Sequence, residues 1–163
     1  MESLKRTGDL QEVGENLIIM MKNLLANENL IKLLANTDRD PLSGPVPTKE
    51  RARELVRVIP KVTKEENDRS IVVLRIVEGV PSRNNNEEFR DFTLHIEIFV
   101  PLTLWEVKST NLRPFLIMGE IQKSLNKLML NSMGKLTGGD FNLNFLTEEM
   151  SCYEQIFKFT TYA

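Results

Sequence analysis

Cysteine, histidine and tryptophan occur once each in 163 residues, and each scarcity removes possibilities. A lone Cys152 cannot form an internal disulfide. A lone His95 has no second histidine or neighbouring cysteine with which to build a metal site, so neither metal nor cofactor is expected. Neither charge is in excess. The 21 basic and 23 acidic side chains give a formal net charge of -2, which leaves no footprint for gripping nucleic acid or anionic lipid. No apolar run approaches the roughly 18 to 20 residues that span a bilayer, and residues 1–14 lack the apolar centre of a signal peptide. These absences predict a chain with no membrane partner, made and kept in a cytoplasm.

What is present suffices for one core. With 41% hydrophobic and 27% charged residues, the chain can build one domain over residues 1–163 and is short for two. The organising stretch begins where Phe92, Leu94, Ile96, Ile98 and Val100 alternate with Thr93, His95, Glu97 and Phe99, the period of a strand with one face on a core. Pro101 ends it. After a connector with Trp105, Pro114 suits a first helical turn. Met118, Ile121, Leu125 and Leu128 then recur at steps of three and four, an amphipathic stripe. Gly119 inside that helix implies that some backbone or bulky side chain lies close against it, the alternative being an exposed glycine.

The remaining elements pack on this strand and helix. Residues 1–9 are polar and expected to be flexible. Val13, Leu17, Met20, Met21, Leu24 and Leu25 trace a first helix, with Asn16 mostly off its stripe. Asn27 to Asn29 interrupt it and can cap a short second helix over residues 30–34. Residues 37–47 (TDRDPLSGPVP) support no regular element, and a long loop is expected over 37–53. A strand over residues 55–62 contains Pro60, which directs it to a sheet edge. Residues 70–78 (SIVVLRIVE) suit a central strand. A long loop over 79–89 carries the tip Asn84, Asn85 and Asn86. Gly134, Gly138 and Gly139 stop the long helix, and closing strands follow over residues 141–145 and 153–162. The order α, β, β, β, α, β, β describes an α+β fold, a mostly antiparallel sheet of about five strands against two main helices.

No active site emerges from these residues. Gly134, Lys135, Leu136 and Thr137 resemble a phosphate loop, but Met129 and Leu136 stand where that motif needs a glycine and a hydroxyl, and a helix precedes it instead of a strand. His95 has Glu97 as its same-face neighbour, which reads as structural. Cys152 has no catalytic setting. The expectation is therefore no enzyme and no catalytic residue. A stronger signal is apolar excess: Ile71, Val73, Val77 and Phe99 would share the sheet face that the helices leave open, too apolar to stay wet. A neighbouring copy would cover it, with Leu55, Arg57 and Ile59 pairing along the edge. The alternative is a first helix that crosses to that face.

The run LANENLIKLLANTDRDPLS, the strand DFTLHIEIFVP, the Trp105-Glu106-Val107 connector and the helix opening LRPFLIMGEIQKSL together resemble the head–tail junction proteins of tailed bacteriophages. They are similar to the tail-terminator or tail-completion group over residues 17–159. The resemblance implies a virion structural protein that forms a ring, usually of six copies, at the head-proximal end of the tail tube. Such a ring stops tube growth and joins the tail to the head connector, with assembly in the host cytoplasm. Its implied partners are copies of itself, the tail tube protein and the connector protein, while DNA passes through without specific binding. The docking loops would be Asp40, Pro41 and Leu42 on one side and Arg83, Asn84, Asn85 and Asn86 on the other. The alternatives are an adjacent neck or connector ring, or a small nucleic-acid-binding or ligand-binding α+β module.

Overall fold

A computed structural model describes residues 9–58, 68–81, 89–108, 110–130 and 134–162. Helix α1 spans Asp9–Leu25 and α2 Glu28–Ala35. A 3-10 turn at Pro41–Ser43 and a short α3 at Lys49–Leu55 lead into β1, Val56–Arg57. Strands β2 (Ile71–Pro81) and β3 (Phe89–Pro101) are followed by a 3-10 turn at Leu102–Leu104 and by α4, Arg113–Leu125. Strands β4 (Thr137–Leu146) and β5 (Met150–Tyr162) close the fold. The sheet order is β1-β2-β3-β5-β4. All neighbours are antiparallel except β1, which runs parallel to β2. The fold is thus α+β, with a mixed five-stranded sheet and four helices among the described residues.

One face of the sheet carries the helices. Val72, Leu74, Leu94, Ile96, Ile98 and Phe157 point into that layer and are buried with Met20, Leu24, Leu30, Ile117 and Ile121. Gln155 reaches from β5 to the Met118 carbonyl of α4 at 3.2 Å, tying strand to helix. The alternation read in β3 is present, and so is the stripe of α4 through Met118, Ile121 and Leu125, all buried, whereas Leu128, expected on the same stripe, lies beyond the end of the helix. Asn27 caps α2 by accepting from the Leu30 amide at 3.0 Å. Its side-chain amide also donates to Ser124 Oγ at 2.8 Å and to Glu120 Oε2 at 3.0 Å. One cap therefore joins two helices. Asn16, expected off the α1 stripe, is fully buried.

Several boundaries differ from the sequence reading, each for a local reason. The expected loop over residues 37–53 contains the 3-10 turn and most of α3. Thr48 caps α3 by accepting from the Arg51 amide at 3.2 Å, and the run KERAREL is rich in strong helix formers. Leu55 therefore ends a helix and does not open a strand. Residues 59–62 of that expected strand lie outside the described residues, as do residues 1–8 and 82–88. Glycines 138 and 139 do not end α4. The helix stops at Leu125, Asn126 caps it, and Lys127 takes a φ of 63°, sending its amide to the Leu136 carbonyl at 2.9 Å. Gly138 instead sits inside β4 with a φ of 130°, at a register shift between Gly138 and Asp140. A Cβ there would lie 2.5 Å from the Ile156 carbonyl oxygen, so the bulge requires glycine.

Arg113 is the principal polar group of the helical layer. Although charged, it is 1% exposed. Its Nε donates to the Leu104 carbonyl at 2.7 Å, one terminal nitrogen to Leu33 O at 2.7 Å and Asn36 O at 2.8 Å, and the other to Asp38 O at 2.7 Å. Burial lowers its pKa from the ordinary guanidinium value, and the charge of Asp38 opposes that shift. Replacing Arg113 by methionine should cost at least about 3 kcal/mol, because it orphans several carbonyls at once. Lysine should restore part of that loss, since it keeps the charge without the planar fork. Urea unfolding of both variants checks the order.

Gly119 is exposed, and a Cβ built on it meets nothing within 4 Å. The close approach expected from its position is absent, because the buried stripe passes through Ile117, Met118 and Ile121. Gly119→Ala should therefore stabilise the protein by about 1 kcal/mol. A thermal melt should show the midpoint rising by roughly 2 to 4 °C.

Candidate functional site

The helix-free face of the sheet is divided between apolar and ionic residues. Register places Ile71, Val73 and Arg75 of β2 opposite Phe99, Glu97 and His95 of β3, which in turn face Cys152, Glu154 and Ile156 of β5. Ile71, Val73 and Cys152 are all 0% exposed. Ile71 and Val73 are thus interior residues of this chain, not an exposed apolar surface awaiting a neighbour. Val77 is 46% exposed, but it falls at a register shift between Ile76 and Glu78 and leaves the row. Phe99 is half-buried and packs on Phe145 of β4, ring centroids 6.0 Å apart.

Beyond that apolar end lies a cross-strand charge cluster. Glu97 and Glu154 are directly opposite one another, an arrangement that repels by itself. Each has a diagonal partner: the Arg75 guanidinium on Glu97, and His95 Nδ1 at 3.0 Å from Glu154 Oε2. His95 therefore pairs across strands with Glu154 and not along its own strand with Glu97. Sequence could not choose between these, because the partner depends on β5 lying next to β3. The cluster holds four polar groups from three strands in register and has no activated nucleophile. Burial, then the nearby Glu97 carboxylate, push the Cys152 thiol up to about 12. Among the described residues, no group of three or more His, Cys, Asp or Glu side chains could hold a metal ion.

The edges of the sheet are unlike each other. On one side β1 is two residues long; there Leu55 is buried and Arg57 is half-buried, its Nε donating to the Glu54 carbonyl at 2.6 Å. Ile59 lies outside the described residues. On the other side β4 is ten residues long and almost wholly exposed. Phe141, Leu143, Phe145 and Leu146 are 52%, 51%, 41% and 57% exposed. Phe141 joins Phe115 and Tyr153 in an aromatic group on the helical face. Asp140 is the single charged residue in the strand, which has no proline or lysine to blunt it. Sequence reading found an alternating strand here and missed its exposure; the signal available was apolar residues on both faces of TGGDFNLNFL.

The expected docking loops are only partly in view. Asp40 lies 3.8 Å from Lys108 Nζ, Pro41 is buried, and Leu42 is 41% exposed. Arg83, Asn84, Asn85 and Asn86 lie outside the described residues.

The architecture is that of a small open-sheet α+β protein whose conspicuous surface is a long strand edge carrying a single charge. By sequence the chain belongs to the YomW family, a phage and prophage protein family whose profile matches residues 27–159. No curated protein matches it.

The thiol offers a direct check on this packing. An unfolded cysteine ionises near 9, whereas Cys152 keeps its proton to about 12, so its burial favours the folded state until the pH rises past the unfolded value, and that advantage fades between them. Iodoacetamide at pH 8 should leave Cys152 unmodified in native protein and alkylate it fully in denaturant. Mass spectrometry gives the extent.

Proposed function

We propose that this protein is a structural component of a tailed-phage virion. It forms a ring, expected to be of six copies, at the head-proximal end of the tail tube, where it ends tube growth and presents a surface to the head connector. The observation that carries this reading is β4: a ten-residue edge strand with four large apolar side chains exposed suits a subunit that is covered by another protein. Membership of a phage and prophage family agrees with it. So does the charge of -2, because a ring through which DNA passes must not retain phosphates. In this reading the protein does no chemistry, and the ionic cluster on the helix-free face aligns strands.

Light scattering on the purified protein should give the mass of a closed ring, and negative-stain microscopy should show an annulus. Added to polymerising tail tube protein, it should shorten the tubes and appear at one end only. A monomer that leaves tube length unchanged overturns the proposal.

A further inference from the structure

Resting on the assembly reading above, we infer that neighbouring copies meet head to tail, the β4–β5 turn of one copy seating in a groove between α1 and α3 of the next. Three observations place these surfaces together. The first is position across the sheet. The turn lies at the β4 edge, while α1 and α3 both contact β1 at the opposite edge. A contact joining opposite edges of identical subunits is heterologous, the type that generates rings.

The second is height along the strands. Val56 begins β1 opposite Val72, and the same row continues through Ile98 and Tyr153 to Leu143. Leu146 ends β4 only a few residues beyond that row, so the turn and the end of α3 lie at the same end of the sheet. A contact between them needs little displacement along the strand direction, which lets successive subunits close in a plane instead of climbing into a helix.

The third is chemistry. The groove is a cavity of about 250 Å³ lined by Leu25, Ala26, Lys49, Ala52 and Arg53. Its floor is apolar, and Lys49 and Arg53 are exposed cations at its rim. The turn offers the complement. Leu146 is 57% exposed, and Glu148, two residues on, is also exposed. An apolar side chain enters an apolar groove while a carboxylate meets two cations, and the pairing fixes orientation as well as contact.

The test is a charge swap on the whole chain. Arg53→Glu and Glu148→Arg should each raise the concentration at which the ring forms by at least about tenfold, since each sets like charges together. The double variant should recover most of that loss. Leu146→Asp should prevent assembly, and circular dichroism should show all four variants folded, because the altered side chains are on the surface. Rising salt should weaken the wild-type ring. A ring indifferent to the single reversals, or one that the double variant does not restore, overturns this seam and leaves the ring reading intact. A twofold dimer held along β4 also overturns it. Wild-type protein that stays monomeric defeats the ring reading itself.

Discussion

The helical half of this protein depends on one buried cation. Arg113 stands at the first position of α4 and gathers carbonyl oxygens from Leu33, Asn36, Asp38 and Leu104. Two of these belong to the end of α2 and its cap, where carbonyls have no helical partners and the helix dipole is negative. A guanidinium satisfies several of them at once in fixed directions, which an ammonium cannot do. The arrangement explains how an irregular segment rich in proline holds one path. Asn36 takes up the same segment from the other side, donating to Pro41 O at 2.8 Å and Pro45 O at 3.2 Å. Backbone polarity, unmet by regular structure, is met by two side chains.

The sheet divides labour in a corresponding way. Its helical face makes most of the core, its other face aligns strands through paired charges, and its two edges are left unequal. That inequality separates this protein from a closed barrel, which would have no edge. The short β1 is covered by helices, whereas β4 is left bare. Trp105 anchors the connector near β4's partner strand, donating to Ser151 Oγ at 2.9 Å, while the Leu102 amide reaches the Glu149 carbonyl at 2.9 Å. The turn that ends β4 is therefore braced from beneath.

How much of this could be read from sequence followed the range of the interactions involved. The period of β3, the stripe of α4 and the Asn27 cap depend on neighbours within a few residues, and each is found where its pattern places it. Helix α3 was obscured because its charges resemble those of a loop, although Thr48 and the helix formers behind it were available as signals. Arg113 gave no sign of burial, since an arginine beside a proline at a helix start ordinarily faces solvent. The burial of Ile71 and Val73 and the exposure of Phe141 and Leu143 could not be read from alternation alone. Alternation assigns residues to two faces of a strand; the rest of the chain decides which faces are covered.

Strand β5 occupies an inner place in the sheet, between β3 and β4, yet it is synthesised after both. Between Pro101, the end of β3, and Met150, the start of β5, the ribosome must add 49 residues (150 minus 101). At about 5 to 20 residues per second that interval is roughly 2 to 10 s. Throughout it β3 has one bare edge, flanked by Leu94, Ile96 and Ile98, and β4, made near its end, has no strand to pair with until β5 follows. The nascent chain thus passes through a period in which a strand with one wholly apolar face is available to any other extended chain, and the insertion of the last strand ends it.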